Sequence, residues 1–430
     1  MVGPKTHRGW IVTFAGTGIN LALGVLYAWS LFKGEIKHSI EAGGPGAFRW
    51  DPSSINDPYA VCCLVFAFAM ILAGRCQDRI GPRFTASLGG LLVGAGFLWI
   101  GQTTDYLSWV LGFGVLVGTG IGFGYSAATP PALKWFPPAK TGLIAGLVVS
   151  GFGLASVYIA PLSQYLLGAF GLQSTMIYFG LGFLGAVIGL ALLLVNPPPG
   201  YLFAGGAAKA SAKAQSRDLK VREILRTRSF YLLWLLFFIG SGAGLMVIGS
   251  VAGLAKKSLG DLAFLAVAIM AVGNAGGRIV AGLLSDRIGR STTLFLMLAA
   301  QAALMFVGVP IVGSTGSPAL LVLLATLIGF NYGTNLSLFP SLAKDFWGLK
   351  NFGLNYGVLF TAWGVGGFVT GRLSEMLQAR TGSFTLCFIA AGAMLAVGAS
   401  LSLLLPSEKA AKQPEVEPQL PLEEPVAQGA

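Results

Sequence analysis

The chain has 430 residues, of which 54% are hydrophobic and 10% are charged, and it carries a formal net charge of +11. Because soluble domains contain roughly 25% charged residues, this composition excludes an ordinary soluble protein and indicates that most of the surface faces lipid. The positive charge does not point to nucleic acid, since basic residues commonly anchor membrane helices at their cytoplasmic ends. The apolar runs are continuous and do not alternate with polar residues, so they favour helices over a membrane β-barrel.

Twelve apolar runs are long enough to cross a bilayer as helices, which takes about 20 residues each. In chain order, these predicted spans are 9–33, 57–77, 84–103, 107–130, 141–167, 173–195, 229–254, 261–284, 292–312, 318–342, 353–376 and 384–405. They form two sets of six, within 1–195 and 229–405. The segment 196–228 between them contains three consecutive prolines and many basic residues, so it is predicted to be a cytoplasmic linker. The tail at 406–430 is rich in Glu, Pro and Gln and is predicted to be a disordered cytoplasmic tail.

The distribution of lysine and arginine predicts how the chain crosses the membrane. With the N-terminus in the cytoplasm, 20 of the 28 basic residues fall in inner segments and 6 in outer segments. This excess of positive charge on the inner side predicts that both termini are cytoplasmic. No predicted loop carries an N-glycosylation acceptor, which favours the cell membrane of a prokaryote, that is, a plasma or inner membrane.

A short motif occurs twice, after the second and the eighth spans. Both copies fit G-x-x-x-D-R-I-G and stand at equivalent places in the two sets of six spans. In each copy the glycine permits close helix contact, the carboxylate can bind the N-terminus of a neighbouring helix, and the arginine can bridge helix ends. The residues predicted to act together in this way are Gly74, Asp78, Arg79, Gly282, Asp286 and Arg287.

The repeated motif resembles the loop motif of the major facilitator superfamily, and the resemblance covers essentially the whole chain. It implies an all-α membrane protein with twelve transmembrane helices in two six-helix bundles. It also implies a central cavity between the bundles and alternating access by rocking of the two halves.

The most conspicuous charge within a predicted span is Arg278, because no Asp or Glu lies in the middle of any span. Arg278 precedes Asp286 by about two helical turns, which places it roughly 12 Å above the inner loop. Burying an arginine there costs about 2.5–3.5 kcal/mol, so an unpaired one predicts an anion site. A guanidinium suits a carboxylate because it donates two parallel hydrogen bonds. Asn274 shares its helix face and can orient it or contact the substrate, although a packing role stays open for both.

A second basic residue, Arg372, lies near the outer end of the eleventh span. It stands three residues before Glu375, which is close to one helical turn. This spacing favours a local ion pair or a contact in a gate over a role in binding substrate.

Six short stretches resemble the monocarboxylate transporters and the related oxalate:formate antiporters. In chain order they are Gly24–Trp29, Gly120–Tyr125, Lys134–Pro137, Asn274–Arg278, Leu338–Pro340 and Asn355–Gly357. In these families the arginine of the eighth span, which matches Arg278, binds the substrate carboxylate. The resemblance implies a substrate site lined by Arg278, Asn274, Tyr332, Tyr27, Leu26, Tyr125, Leu143 and Phe360. For any one of the aromatic or leucine residues, ordinary packing is the alternative.

The chain departs from these families at three positions. Oxalate carriers hold a second carboxylate with a lysine, and the matching position is Trp363, so the single cation favours a single carboxylate. Where they carry glutamine, this chain has Leu26, which suits a methyl end such as that of lactate. Animal monocarboxylate transporters carry an acidic residue at the position of Asn274.

Three accounts of proton coupling therefore stay open. The substrate carboxylate itself can carry the proton, because desolvation raises its pKa. Alternatively, Glu375 or Asp57 titrates, or the protein exchanges anions and moves no net proton.

The sequence therefore predicts a secondary transporter of small monocarboxylates, with L-lactate as the first candidate and proton-coupled symport as the favoured mode. A carboxylate exchanger and a carboxylate-binding membrane sensor are the alternatives. No metal-ligand cluster and no nucleophile–base pair is recognisable, so we expect neither an enzyme nor a cofactor or metal. The expected partners are the monocarboxylate, protons and the lipid bilayer.

Overall fold

The structure is a computed structural model. It describes residues 4–198, 201, 218–259, 263–313 and 317–405. Within these ranges the α-helices are α1 (Pro4–Leu23), α2 (Trp29–Ala42), α3 (Asp57–Arg79), α4 (Pro82–Ile100), α5 (Tyr106–Trp109), α6 (Gly118–Lys134), α7 (Thr141–Ala191), α8 (Val221–Ile224), α9 (Arg228–Leu259), α10 (Ala263–Ile288), α11 (Arg290–Gly313), α12 (Pro318–Trp347), α13 (Phe352–Thr381) and α14 (Thr385–Ser402). A π-helical segment, Val110–Val117, joins α5 to α6.

Eleven helical runs among the described residues are long and apolar enough to cross a membrane. The longest, Pro138–Ala191, has 54 residues, which would span about 80 Å as one helix, whereas the bilayer core is about 30 Å thick. It is broken at Gly171, where φ is 74°, a left-handed conformation that glycine adopts without steric cost. The run therefore contains two spans, and the predicted fold of twelve transmembrane helices is confirmed.

The first span is longer than the sequence predicts. Hydropathy indicates a helix over 9–33, whereas the helical run extends over His7–Ala42. A 3₁₀ segment, Gly24–Ala28, separates α1 from α2. Gly24 contacts the fifth span closely, because a Cβ at this position would come within 2.3 Å of the Ala155 Cβ. The additional residues are mostly polar, which is why hydropathy alone ends the span too early.

Two helix pairs make the most extensive contacts between the halves of the molecule: α3 packs on α13, and α7 packs on α10. Motif glycines make both contacts close. A Cβ at Gly74 would lie 2.1 Å from the Gly353 carbonyl oxygen, and a Cβ at Gly282 would lie 2.2 Å from the Gly142 carbonyl oxygen. We refer to this end of the molecule, which carries both motifs, as the inner end, and to the opposite end as the outer end.

The described end of the linker is bound to the second half. One Asp218 carboxylate oxygen accepts hydrogen bonds from the backbone N–H groups of Leu349 and Lys350, both at 3.0 Å. The Leu219 N–H donates to the Trp347 carbonyl at 3.0 Å. Residues 199–200 and 202–217 of the predicted linker and the predicted disordered tail, 406–430, lie outside the described residues, so the domain boundaries stay predictions.

Candidate functional site

Arg278 lies on α10 at its contact with α7, and its side chain is fully buried. Its Nε donates a hydrogen bond to Asn274 Oδ1 at 2.9 Å, and its Nη1 donates to the Val149 carbonyl. Its Nη2 lies 3.5 Å from the Tyr27 hydroxyl. Gly153 leaves room for this arrangement, because a Cβ there would lie 3.2 Å from both Arg278 Nε and Asn274 Oδ1.

All three acceptors around the Arg278 guanidinium are neutral. Among the described residues, no carboxylate lies within 4.0 Å of it, and none of the ion pairs includes it. A guanidinium carries a positive charge in proteins, so this group is a buried cation without a counterion in the described part of the chain. A buried charge is stabilised chiefly by a paired opposite charge, and this site therefore has the electrostatics of an anion site.

A chain of polar groups connects Arg278 to the second half through Tyr27. The Tyr27 and Tyr332 hydroxyl oxygens are 3.3 Å apart, and Trp363 Nε1 donates to the Tyr332 hydroxyl at 2.8 Å. Because an indole N–H only donates, the Tyr332 hydroxyl accepts a hydrogen bond from Trp363 and can donate one to the Tyr27 oxygen. The Tyr27 oxygen can then accept from both Arg278 and Tyr332, which leaves its own proton available for a bound anion.

Five aromatic residues form a layer between the halves: Phe66, Tyr125 and Phe152 in the first half, and Phe360 and Trp363 in the second. The ring centroid of Phe66 lies 5.1 Å from that of Phe360 and 5.3 Å from that of Trp363. Tyr125 and Phe360 are 5.4 Å apart. The aromatic layer extends inward from Trp363, since Phe360 is one turn closer to the inner end of α13. It closes the interface between the two halves with buried rings.

Phe66 was not predicted as a site residue, although it contacts the four other members of the layer, and its contacts with Phe360 and Trp363 cross the interface. A phenylalanine in an apolar span has no sequence signal that separates it from lipid-facing or core residues. Tyr125 and Phe360, which were predicted, lie in this layer. The predicted Leu26 is buried beside Tyr27 in the 3₁₀ segment.

A cavity of about 370 Å³ opens on the outer side of this layer and is lined by both halves. Tyr27 and Trp363 lie at its floor, so the cavity ends at the polar chain that leads to Arg278. Lys33, Asp57 and Arg372 lie at its outer rim. We refer to it as the outer cavity.

The carboxylate of Asp57 connects the two halves at this rim. It accepts a hydrogen bond from the Tyr106 hydroxyl at 2.8 Å, and its other oxygen lies 3.9 Å from Arg372 Nη2. The predicted local pair of Arg372 with Glu375 falls outside the described part, because the side chain of Glu375 is not described. The structure thus places Arg372 next to a carboxylate of the other half.

At the inner end, Asp78 binds the beginning of a helix in the other half. Its two carboxylate oxygens accept hydrogen bonds from the backbone N–H groups of Gly353 at 3.1 Å and Leu354 at 2.9 Å. These are N–H groups of the first turn of α13, which have no partner within the helix and carry the positive end of its dipole. The negatively charged Asp78 carboxylate therefore binds the N-terminus of α13 and stabilises it.

Asp286 makes the equivalent contact with α7. It accepts from the N–H groups of Gly142 at 2.9 Å and Leu143 at 3.0 Å. Leu143, predicted to line the substrate site, therefore lies at the inner end, and the structure does not bring it next to Arg278. Unlike Asp78, Asp286 is also ion-paired: Arg290 lies 2.7 Å from it and bonds Asp345 at 3.1 Å.

The arginines of the two motifs do not take part in these contacts. Arg79 and Arg287 are exposed, and neither makes a hydrogen bond or ion pair with another described residue. Arg290, which sequence reasoning missed, supplies a buried cation at the inner end. Its position just after the second motif looked like an ordinary cytoplasmic anchor.

Two packed bundles that touch at their inner end, with a buried cation beneath a cavity on the outer side, are an arrangement typical of membrane transporters. A family model described as Major Facilitator Superfamily matches residues 8–371 and 241–428. The chain therefore belongs to the major facilitator superfamily and is a multi-pass membrane transporter.

Several curated proteins are similar to this chain over most of their length. An uncharacterised MFS-type transporter of Escherichia coli (strain K12), YhjX, is 31% identical over 367 residues, which are 83% of this chain and 85% of that protein. The oxalate:formate antiporter of Oxalobacter formigenes is 27% identical, with 86% of this chain and 84% of that protein covered. Human monocarboxylate transporter 11 is 27% identical, with 94% and 84% covered.

Solved transporter structures share the fold. The proton:xylose symporter XylE matches with a TM-score of 0.72 at 15% identity, over 95% of this chain and 98% of that one. FucP in its outward conformation matches with a TM-score of 0.64 at 16% identity, over 92% and 100%. At these identities the likeness supports the fold alone.

Proposed function

We propose that this chain transports small monocarboxylates, with L-lactate as the first candidate, by proton-coupled symport and alternating access in a prokaryotic plasma or inner membrane, with both termini cytoplasmic. The observation that carries the proposal is the fully buried Arg278 guanidinium, which has three neutral partners and no carboxylate within 4.0 Å among the described residues. A substrate carboxylate supplies the missing counterion.

The neighbours of Arg278 suit one carboxylate. Asn274 holds the guanidinium through Nε, which leaves the Nη atoms to bind the anion once the contacts with Val149 and Tyr27 yield. The Tyr27 hydroxyl can donate a third hydrogen bond to a carboxylate oxygen. Charge-assisted hydrogen bonds of this kind are about twice as strong as neutral ones. A substrate carboxylate is therefore expected to replace the neutral partners of the Arg278 guanidinium.

The remainder of the site suits a short apolar tail. Trp363 donates to Tyr332 and stands where a second cation would be needed for a dicarboxylate. Leu26 and the aromatic layer provide apolar walls for a methyl group, and a site of this kind favours lactate over oxalate. Monocarboxylate transporter 11 and the oxalate:formate antiporter among the relatives support the carboxylate class.

The contacts at the two ends support alternating access. Asp78 and Asp286 hold the inner end closed through helix N-termini of the opposite half, while the outer cavity is open to the other side. Transport to the inner side requires that both carboxylates release their helices and that the aromatic layer separate.

Exchange of carboxylates without net proton movement is the second candidate. Among the described side chains, the acidic residues of the helical spans lie near the ends of these spans, and they include Asp57, Asp78, Asp286 and Asp345. None of these carboxylates lies within 4.0 Å of Arg278. A proton acceptor beside the cation is thus missing from this part of the chain. The oxalate:formate antiporter of Oxalobacter formigenes, an exchanger by name, is a relative at 27% identity.

Initial uptake of labelled L-lactate into proteoliposomes separates the candidates. Symport predicts uptake into empty vesicles when an inward proton gradient is imposed, and its loss with a protonophore. Exchange predicts uptake only into vesicles preloaded with a carboxylate, with no effect of the protonophore. Binding of L-lactate with no flux in either arrangement would contradict both and favour a sensor.

A further inference from the structure

The described end of the linker holds the start of α13 as well as the loop before it. Besides the two loop N–H groups that bind Asp218, the Leu219 carbonyl accepts hydrogen bonds from Asn351 Nδ2 at 3.2 Å and Asn355 Nδ2 at 2.9 Å. Asn355 belongs to the first turn of α13, and its side chain is buried. The linker is therefore hydrogen-bonded both to the loop between α12 and α13 and to α13 itself.

An apolar contact anchors this end of the linker. Ile224 of α8 is fully buried, and α8 packs against α13. The turn that leads into α8 is closed by Glu223, whose carboxylate accepts a hydrogen bond from the Lys220 N–H at 2.6 Å. Because burial of an aliphatic side chain is favourable, Asp218 and Leu219 contact α13 from a segment that is itself held on the second half.

Two carboxylates from different parts of the chain bind neighbouring backbone N–H groups at the start of α13. Asp78 of the first half binds those of Gly353 and Leu354, whereas Asp218 binds the two N–H groups of the loop just before the helix. The N–H groups of a first helical turn have no partner within the helix, and their direction depends on how that turn is held. The loop and Asn355 hold it, and both are bonded to the linker.

We propose that Asp218 is a positioning residue of the inner contact. Its hydrogen bonds to the loop, together with the bond between Leu219 and Asn355, keep the first turn of α13 in the orientation that Asp78 binds and thereby stabilise the closed inner end. The proposal rests on the proposed function in that the inner end opens during transport. The linker then contributes to the balance between the closed and the open inner end, in addition to joining the halves.

Amide hydrogen exchange of the full-length protein, measured without substrate and resolved to single residues, tests this role. It compares three pairs of amides, which we call the loop amides, the near amides and the far amides: in that order, Leu349 and Lys350, Gly353 and Leu354, and Gly142 and Leu143. The far amides bind Asp286 at the second contact of the inner end. A residue that supports only the local fold affects the loop amides alone, whereas one that stabilises the closed inner end affects all three pairs.

Asp218→Ala should accelerate exchange at the near and the far amides by at least about threefold, because both contacts break when the inner end opens. Asp218→Asn should have a smaller effect, since its side-chain oxygen still accepts hydrogen bonds but carries no charge. Glu223→Ala is the matched control, because it removes the other described carboxylate of the linker, whose hydrogen bond lies within the linker. This control should leave the near and the far amides at the wild-type rate. Acceleration by Asp218→Ala that is confined to the loop amides overturns the proposal.

Two further variants test whether the effect passes through Asp78. Asn351→Ala removes one hydrogen bond to Leu219 and should also accelerate exchange at the near and the far amides, by a smaller factor than Asp218→Ala. In a chain that carries Asp78→Ala, the near amides have lost their acceptor, so adding Asp218→Ala should change the far amides less than it does in the wild-type chain. The same factor in both chains would show that Asp218 does not act through Asp78, which contradicts the proposal.

Uptake of L-lactate distinguishes this proposal from the proposed function. Asp218→Ala should raise the KM for uptake from the outer side by about twofold or more, since a smaller fraction of the molecules exposes the outer cavity, and Glu223→Ala should match the wild type. If the wild type transports L-lactate and only the loop amides respond to Asp218→Ala, the positioning role is wrong and the transporter stands. If the wild type transports no carboxylate, the proposed function is wrong, and exchange at the near and the far amides still decides whether the linker stabilises the inner contact.

Discussion

At the scale of single residues, the site depends on which hydrogen bonds a bound carboxylate replaces. Tyr27 occupies a central place, since its hydroxyl lies between the Arg278 guanidinium and the Tyr332 hydroxyl and also faces the outer cavity. Its ring packs edge-on against Phe152 at 5.4 Å, so the hydroxyl can be removed while the ring keeps its contacts.

Tyr27→Phe should raise the KM for L-lactate by about tenfold or more, because one hydrogen bond to a charged group contributes about 1.5–3 kcal/mol. The comparison is initial uptake by Tyr27→Phe and by Tyr178→Phe, whose ring is partly exposed on the outside of the bundle. Equal KM values for the two variants would exclude a role of the Tyr27 hydroxyl in binding.

The two inner carboxylates differ as single residues although their motifs are alike. Asp286 belongs to a buried group of four charges, in which the carboxylates of Asp286 and Asp345 balance the cations of Arg290 and Lys344. Asp345 is paired with both cations. Asp78 binds the N–H groups of α13 but has no ion pair within 4.0 Å among the described residues.

Asp286→Asn should therefore destabilise the fold by about 1–3 kcal/mol more than Asp78→Asn, because it leaves a buried positive charge uncompensated. The thermal midpoint of each purified variant measures the difference. A midpoint for Asp78→Asn as low as that of Asp286→Asn would contradict this account of the inner ion pairs.

At the scale of helices, the two halves make their close backbone contacts at glycines, which have no side chain. Gly74 on α3 and Gly282 on α10 allow backbone contact with Gly353 and Gly142 of the opposite half. Such close approach brings each motif carboxylate within hydrogen-bond reach of a helix N-terminus. The glycines and the carboxylates of the motif thus act in one contact.

Gly74→Ala and Gly282→Ala should each lower the initial rate of L-lactate uptake by about tenfold or more, since the added methyl group prevents closure of the inner end. Gly182→Ala is the matched control, because a Cβ there meets no atom within 4 Å. Uptake at the wild-type rate in both motif variants would show that this glycine contact is not needed for transport.

The sequence predicts these elements unequally well. Hydropathy is a local property, so the spans were predictable, including the two that meet at Gly171 and apart from the polar extension of α2. The motif predicted that a carboxylate binds a helix N-terminus, but not that Asp78 reaches a helix 276 residues away. The contact of Arg372 with Asp57 could not be predicted either, because local spacing favours Glu375 and the partner lies in the other half.

At the scale of the whole molecule, the inner end is closed, the outer cavity is open, and a single buried cation lies between them among the described residues. The depth and isolation of Arg278 were predictable from one sequence, because a charge in an apolar span is conspicuous. Its orientation by Asn274 was predicted from helical spacing, whereas Val149 and Phe66 could be identified only from the packing of the two halves.

The central claim is that Arg278 binds a carboxylate, and equilibrium binding by titration calorimetry tests it most directly. The wild-type protein should bind L-lactate but not lactamide, which has the same shape and no charge. Arg278→Gln should bind L-lactate at least about 100-fold more weakly, since two charge-assisted hydrogen bonds are lost. Equal affinity for lactate and lactamide, or L-lactate binding by Arg278→Gln as tight as that of the wild type, would contradict the account.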